Sequence, residues 1–184
     1  MPGRFAPPDR ALIDRVVVHT KSPNALGAAL APFLNPGAAA VPAANLVMYV
    51  PFWLPGPTLV TKLYWTAGAA AGNADLGIYD AAGTLMASTG TTVVGNANNV
   101  QLLDITDTTL ARGNYYFGFV ADTVVTLTIL CVQPAAGIAQ SLGCLEQASV
   151  TLPLATNASP ATFAVYTRAY IPLVGLQGFR TIGV

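Results

Sequence analysis

Apolar and polar residues alternate along most of this chain from residue 45 onward, and Gly, Pro, Asn and Asp interrupt the alternation at short intervals. A period of two is typical of β-strands with one buried face, and the interrupting residues are those that form turns. The predicted strands are residues 45–54, 58–67, 74–80, 84–88, 99–106, 114–122, 124–132 and 163–173, with a weaker ninth at 143–152.

Alternate positions of a strand share a face, so the apolar phase of each predicted strand indicates its core side. The predicted facing sets are Leu59, Leu63 and Trp65; Leu76 and Ile78; Tyr115, Phe117 and Phe119; and Leu127, Ile129 and Cys131. Asp80-Ala-Ala-Gly83 predicts a hairpin, because Asp opens a type I turn and Gly supplies its left-handed position. Short strands at this spacing favour an all-β fold, an antiparallel and jelly-roll-like β-sandwich over residues 45–184. Its predicted core contains Leu63 or Trp65, Ile78, Phe117, Phe119 and Ile129.

Residues 1–44 differ from the rest of the chain because they contain 7 of its 14 prolines. Proline fixes φ and removes a backbone donor, so regular sheet is not expected there. We predict an extended arm at 1–44 with little regular structure, in which residues 15–20 are suited to an added strand, and a β-sandwich domain at 45–184. The arm is expected to pack on a neighbouring subunit, since its apolar residues still need burial.

Charge is scarce in this chain. Its 8 basic and 8 acidic residues amount to 9% of the sequence, hydrophobic residues amount to 53%, and the net charge is zero. This composition excludes intrinsic disorder and argues against binding to nucleic acid or to an anionic membrane. Prolines or a charge interrupt the longest apolar runs, and no signal peptide is visible. The two cysteines fit no metal motif and no disulfide framework, so synthesis in a reducing cytoplasm is expected.

The sequence offers little catalytic chemistry. Its only histidine, His19, has no serine, cysteine or carboxylate at motif spacing, so it predicts no catalytic triad. The common hydrolase and nucleotide-binding fingerprints do not occur in the sequence. We therefore predict that the protein is not an enzyme, and we assign no catalytic residue, no cofactor-binding residue and no metal ligand.

The carboxylates are interpreted as turn formers. Five aspartates fall at predicted strand ends or turns, namely Asp75, Asp80, Asp104, Asp107 and Asp122. At such positions an Asp side chain accepts hydrogen bonds from nearby backbone amides. A calcium site built from a few of them is the alternative, although no DxDxDG loop is present. Glu146 is the lone glutamate.

Aromatic residues are frequent in or beside the predicted strands, as at Trp53, Tyr64, Trp65, Tyr79, Tyr115 and Tyr116. Because neighbouring strand residues face opposite sides, one member of each adjacent pair should be buried and the other should face outward. Outward rings suit cross-strand packing or a subunit interface, and a carbohydrate-stacking platform is the alternative. Cys131 and Cys144 are expected to be free, buried thiols, with pairing across a hairpin as the alternative.

The stretch from residue 59 to 122 contains a GIYDAAG hairpin and an LxxGxYY strand entry at Leu110, Gly113, Tyr115 and Tyr116. These motifs resemble β-sandwich domains in virion structural proteins of tailed bacteriophages, including capsid decoration and fibre proteins. Both motifs also occur in carbohydrate-binding sandwiches. The proline-rich arm is likewise similar to the extensions by which capsid-associated proteins bind the capsid lattice.

A soluble monomer of this size needs more surface charge than this chain has, so its composition predicts permanent neighbours. Together with the resemblance, this implies a non-enzymatic virion structural protein, a capsid-associated decoration or cement subunit that assembles through its arm and apolar faces. The expected partners are other copies of the chain and other virion proteins, including the major capsid protein. The expected location is the virion, assembled in the host cytoplasm. A carbohydrate-binding or receptor-binding module of a phage tail or fibre, with a glycan as ligand, is the alternative.

Overall fold

The fold is that of a computed structural model, which describes residues 15–19, 34–40, 43–67, 69, 71–95, 99–124, 126–132, 139–140, 142–158, 163–168 and 170–180. Residues 15–19, 34–40, 126–132, Tyr170 and Arg180 are described by their backbone pairing alone. The elements in these ranges are the strands β1 (Arg15–His19), β2 (Leu34–Ala40), β3 (Val47–Leu54), β4 (Thr58–Ala67), β5 (Asn73–Asp80), β6 (Leu85–Ser88), β7 (Thr92–Val93), β8 (Asn99–Leu110), β9 (Gly113–Ala121), β10 (Thr126–Val132), β11 (Leu145–Gln147), β12 (Ala164–Val165), β13 (Tyr170–Pro172) and β14 (Val174–Arg180).

The strands form two sheets that pack against each other, and neighbouring strands are antiparallel in both. Sheet A has the order β1, β14, β4, β10 and β13, with β8 paired to β4 and β2 paired to β10. Sheet B has the order β12, β11, β3, β9, β5 and β6, with β7 paired to β5. The predicted all-β, antiparallel fold with packed sheets is therefore confirmed.

The core lies between the two sheets and is built from the residues that point inward. Sheet A contributes Val60, Leu63, Trp65 and Leu176 to this core. Sheet B contributes Met48, Leu76, Ile78, Phe117 and Phe119. Phe117 stacks on Phe52 at a ring distance of 4.0 Å, and Trp65 meets Phe119 edge to face at 5.7 Å. The predicted core residues are confirmed, except that the side chain of Ile129 lies outside the described part of the structure.

The predicted facing set in β4 is wrong at one residue. Val60 is fully buried, whereas Leu59 is only partly buried. In the pairing of β4 with β14, Lys62 lies opposite Gln177 and Val60 lies opposite Gly178, so Thr61 is an extra residue of β4 that changes the alternation. The facing sets in β5 and β9 are confirmed by burial. The set predicted in β10 concerns side chains that the structure does not describe.

Strand β14 was not predicted. Its sequence VGLQGFR contains two glycines and a glutamine, which lower its β propensity. It nevertheless pairs with β1 on one side and with β4 on the other, so tertiary pairing overrides the local preference. Strand β8 continues to Leu110, past its predicted end, and the predicted strand at 163–173 is divided between β12 and β13.

Two segments of the predicted arm lie in sheet A of their own chain. Strand β1, at the site of the expected added strand, pairs with β14, and β2 pairs with β10 along its whole length. Regular sheet was not expected at β2, where Pro36 lies opposite Leu130. Its described pairing is with β10 alone, and proline is tolerated in such edge strands. Residues 1–14, 20–33 and 41–42 lie outside the described residues, so a boundary at residue 44 stays a prediction.

The outer faces of the two sheets differ. A segment at residues 148–158, called the covering segment below, lies on sheet B and forms a second hydrophobic cluster there. The members of that cluster are Val47, Tyr49, Tyr79, Val120, Leu154 and Ala158. On sheet A, by contrast, Val100 and Leu102 of β8 are 52% and 45% exposed. The two faces therefore present different surfaces to a partner.

Candidate functional site

The outer face of sheet B contains a cleft of about 80 Å³ beside the hairpin that joins β5 to β6. Tyr49, Tyr79, Tyr116 and Phe163 supply aromatic rings to its lining, and Asp80 lies in the lining with them. The three tyrosines come from the adjacent strands β3, β5 and β9, and Tyr79 lies opposite Tyr116 in register. We call this feature the aromatic cleft.

Space for the rings of the aromatic cleft is provided by a glycine. Tyr49 lies opposite Gly118 in register. A Cβ atom on Gly118 would lie 2.9 Å from Cε2 of Tyr79 and 3.2 Å from Cε1 of Tyr49. Tyr49 packs edge to face on Tyr79 at 5.6 Å and tilts against Phe163 at 4.5 Å. The absence of a side chain at residue 118 therefore lets these rings approach the sheet.

The hydroxyls of the two buried tyrosines have fixed partners. The Tyr49 hydroxyl donates to Oε1 of Gln147 at 2.9 Å, and the Tyr79 hydroxyl donates to the Ala155 carbonyl at 2.8 Å. Burial raises the pKa of Tyr49, and it raises the pKa of Tyr79 with smaller contributions from Tyr49 and Asp75. Both hydroxyls are therefore protonated at neutral pH, and the Tyr79 hydroxyl connects β5 to the covering segment through Ala155.

Asp80 forms the predicted turn. Its Oδ1 accepts hydrogen bonds from the amides of Ala82 at 2.9 Å and Thr84 at 2.8 Å. Gly83 has φ 87°, the left-handed conformation that glycine adopts at little cost, and the hairpin prediction is confirmed. The ion pairs within the described residues are Lys62–Asp104 and Arg168–Glu146, so no described cation neutralises Asp80.

Of the other four aspartates interpreted as turn formers, Asp122 is confirmed at a strand end, and the interpretation is wrong for the remaining three. Asp122, at the end of β9, accepts hydrogen bonds from the Asn73 amide at 2.8 Å and from Asn73 Nδ2 at 2.7 Å. These bonds lower the pKa of Asp122. Asp75, Asp104 and Asp107 lie inside strands instead, the last two because β8 continues to Leu110. Among the described residues, no three His, Cys, Asp or Glu side chains are grouped as a metal site would need.

Asp75 is a fully buried carboxylate, although its position in the sequence predicted a turn former. Its Oδ1 accepts hydrogen bonds from Ser88 Oγ at 2.6 Å and Thr89 Oγ1 at 3.0 Å, and its Oδ2 accepts one from the Leu154 amide at 2.9 Å. The only indication of this buried position in the sequence is that a charged residue interrupts an apolar strand. Both oxygens are occupied, so this carboxylate attaches the covering segment to β5 and has a structural role.

Glu146 is the second buried carboxylate. It accepts hydrogen bonds from Arg168 Nε at 3.2 Å and from Thr167 Oγ1 at 3.0 Å. Like Asp75, it does not line the aromatic cleft. The cleft therefore contains a single carboxylate, and the pair of facing carboxylates that glycoside hydrolysis uses is not present there.

The expectation for adjacent aromatic residues is confirmed. Trp65 and Tyr115 are buried, while Tyr64 and Tyr116 are partly exposed. Trp53 is 36% exposed, and Cζ of Arg112 lies 5.7 Å from its ring centroid. This guanidinium therefore lies over one face of the most exposed predicted ring.

Cys144 is a free, buried thiol, and burial raises its pKa to about 12. This agrees with the expectation of an unpaired cysteine at that position. The side chains of Cys131 and His19 lie outside the described part of the structure.

A second candidate surface lies on the outer face of sheet A. Tyr64 of β4 is opposite Leu102 of β8, and the next outward residue of β8 is Val100. Lys62 and Asp104 form an ion pair across the same two strands. Burial raises the pKa of Tyr64 to about 12. We call this surface, made of Lys62, Tyr64, Val100, Leu102 and Asp104, the β4/β8 face.

No protein-family model matches the chain. A comparison with curated proteins gives no match either. The resemblance to virion β-sandwich domains therefore stays a prediction. In the part of the chain that the structure describes, no helix is long and apolar enough to cross a membrane.

Proposed function

We propose that this chain is a non-enzymatic structural subunit of a larger protein assembly, and specifically a capsid-associated decoration or cement protein of a bacteriophage virion. Its partners in this proposal are other copies of itself and other virion proteins, such as the major capsid protein. It is assembled into the virion in the host cytoplasm. The virion assignment depends on the sequence resemblance, whereas the assembly role also depends on the surface described next.

The β4/β8 face is the observation that carries the assembly role. Val100 and Leu102 are large apolar residues, and about half of each is exposed. The face has one ion pair, Lys62–Asp104, whose charges compensate each other. A chain with only 9% charged residues has little with which to keep such a face in water. Contact with a second copy removes these side chains from solvent, and this burial favours association.

Two observations support the assembly role over the glycan-binding alternative. One face of the Trp53 ring has Arg112 over it, which reduces its use as a stacking platform for sugar. The aromatic cleft has about 80 Å³, while pockets for small molecules usually have about 300 to 1,000 Å³. The cleft therefore suits one side-chain group better than a sugar ring with its neighbours.

Sedimentation velocity of the full chain over a range of concentrations tests the assembly role. The wild-type chain is expected to associate, and Leu102→Glu should weaken association by at least about tenfold because it places a charge in the apolar contact. Val124→Glu is the matched control, since Val124 is 54% exposed and lies outside both strands of the face, in the connection after β9. Circular dichroism should show that both variants remain folded.

A chain that stays monomeric and soluble at all concentrations would contradict the assembly role. Equal effects of Leu102→Glu and Val124→Glu would show that the β4/β8 face is not the contact. A glycan that binds the monomer with the affinity of a lectin would favour the alternative. Incorporation of the tagged chain into phage particles, followed by cryo-electron microscopy, tests the virion assignment directly.

A further inference from the structure

We propose that the aromatic cleft binds an arginine side chain from the N-terminal segment, residues 1–14, of a neighbouring copy. This inference rests on the proposed role as an assembling subunit, and it adds a second contact, separate from the β4/β8 face. Three features of the chain support it: the chemistry of the cleft, the uncompensated charge of Asp80, and the distribution of cations in the sequence.

The chemistry of the aromatic cleft suits a cation. Tyr49 and Tyr79 line the space as buried residues, Tyr116 and Phe163 line it as partly exposed ones, and Asp80 is the single charged residue in the lining. Aromatic rings attract guanidinium and ammonium groups through their electron-rich faces, and a carboxylate adds a charge-assisted hydrogen bond. A planar guanidinium is able to use both interactions at once. The small volume admits one such group.

Asp80 is positioned to receive this ligand. The turn amides of Ala82 and Thr84 bond to Oδ1 alone, so Oδ2 is not used by the turn. The backbone of the same turn is closed by the Gly83 amide, which donates to the Asp80 carbonyl at 3.1 Å. The carboxylate is thus held in place by its first oxygen and offers the second to a donor.

The sequence indicates where the cation comes from. Within the described residues, Lys62 pairs with Asp104, Arg168 pairs with Glu146, and Arg112 lies over Trp53. The remaining cations of the chain are Arg4, Arg10, Arg15, Lys21 and Arg180, and four of these five lie in the first 21 residues. The arginines of residues 1–14 occur in the sequence GRFAPPDRA, whose prolines favour an extended backbone. An extended backbone presents a long side chain to a cleft at low entropic cost.

A neighbouring copy is the donor favoured by the fold. Residues 1–14 lead directly into β1, which lies at an edge of sheet A. The aromatic cleft opens on the outer face of sheet B, on the opposite side of the sandwich. Arg10 and Arg4 are five and eleven positions before β1, so an extended chain carries them at most about 18 and 40 Å from it. To reach its own cleft the same chain must pass around both sheets, which are about 10 Å apart, whereas a copy stacked against sheet B meets no such obstacle.

Three full-length variants test the inference by sedimentation velocity. Asp80→Asn removes the charge but keeps an acceptor oxygen for the turn, Tyr116→Leu removes one ring, and Arg4→Gln/Arg10→Gln removes the donors. Each is expected to weaken self-association about tenfold at low salt, and less at high salt. Combining Asp80→Asn with the arginine changes should cause little further loss, since both act on one contact. Asp107→Asn, the same charge change on exposed β8, is the matched control and should behave as wild type.

A mixing experiment separates a neighbouring copy from the same chain as donor. The Asp80→Asn chain retains its arginines, and the Arg4→Gln/Arg10→Gln chain retains its cleft. Mixed together, they should form a heterodimer at concentrations where each alone associates weakly. A synthetic peptide of residues 1–14 should also bind the Arg4→Gln/Arg10→Gln chain, and the same peptide with both arginines replaced by glutamine should bind at least about tenfold more weakly.

The outcomes distinguish this inference from the proposed function. If Leu102→Glu disrupts association but the cleft variants associate as wild type does, the inference is wrong and the assembly role stands. Lower thermal stability of the arginine variant, with unchanged association and no heterodimer, would indicate that the same chain fills its own cleft and would overturn the inference. If the wild-type chain never associates and the peptide does not bind, both the inference and the assembly role fail.

Discussion

Replacing Asp75 with Ala removes the carboxylate that attaches the covering segment to sheet B. The Leu154 amide then loses its acceptor, at a cost of about 1.5 to 3 kcal/mol for a hydrogen bond to a charged group. The two hydroxyls lose less because they keep other partners. Ser88 Oγ accepts from the Gly90 amide at 2.8 Å, and Thr89 Oγ1 accepts from the Leu76 amide at 3.0 Å. Loss of the buried charge offsets part of the cost, so we expect a net destabilisation of about 3 kcal/mol.

Urea unfolding followed by circular dichroism measures this change in the free energy of unfolding. Asp75→Asn retains one acceptor oxygen and should lose about half as much stability as Asp75→Ala. Asp107→Ala is the control, because Asp107 is exposed on β8 and its removal should change stability by less than about 0.5 kcal/mol. Hydrogen exchange of the Leu154 amide should also become faster in the Asp75 variants. An Asp75→Ala chain as stable as the Asp107→Ala chain would refute the reasoning.

Three further predictions concern the core, a thiol and a carboxylate. Phe117→Ala should cost about 3 to 5 kcal/mol in urea unfolding, because Phe117 is fully buried; a loss below about 1 kcal/mol would contradict its place in the core. In a Cys131→Ser chain, Cys144 should not react with a thiol reagent at pH 8 until the protein is unfolded, because its pKa is raised to about 12; rapid labelling of the folded chain would contradict this. Carbon NMR should show that the pKa of Asp122 lies below the ordinary value for an aspartate, because the carboxylate accepts hydrogen bonds from Asn73. These bonds stabilise the fold at pH values above the ordinary pKa, and this stability is lost as pH falls through the lowered pKa. Asn73→Ala should raise the pKa of Asp122, and an unchanged pKa would refute the assignment.

The arrangement of the two outer faces suggests how one chain can have two kinds of contact. The covering segment lies on sheet B, and the aromatic cleft on that face contains the carboxylate of Asp80. The β4/β8 face of sheet A has apolar residues and a compensated ion pair. In our proposals the β4/β8 face contributes burial and the aromatic cleft contributes charge selectivity. Salt should therefore weaken the second contact more than the first.

Much of the sandwich follows from the sequence alone. A period of two reports which residues of a strand share a face, so the core positions Ile78, Phe117 and Phe119 were predictable. The turn at Asp80 was predictable as well, because its hydrogen bonds involve residues two and four positions away. These features depend on neighbours along the chain, which a local pattern records.

The remaining features were decided by contacts between distant parts of the chain. Asp75 is 79 residues from Leu154, and Tyr49 is 98 residues from Gln147. A local pattern does not report which strands become neighbours, so it did not predict the burial of Asp75 or the grouping of rings in the aromatic cleft. The bulge at Thr61 similarly depends on how β4 pairs with β14, and it moved Val60 into the core in place of Leu59. Alternation specifies the faces of strands, whereas only the packed sheets determine which side chains meet.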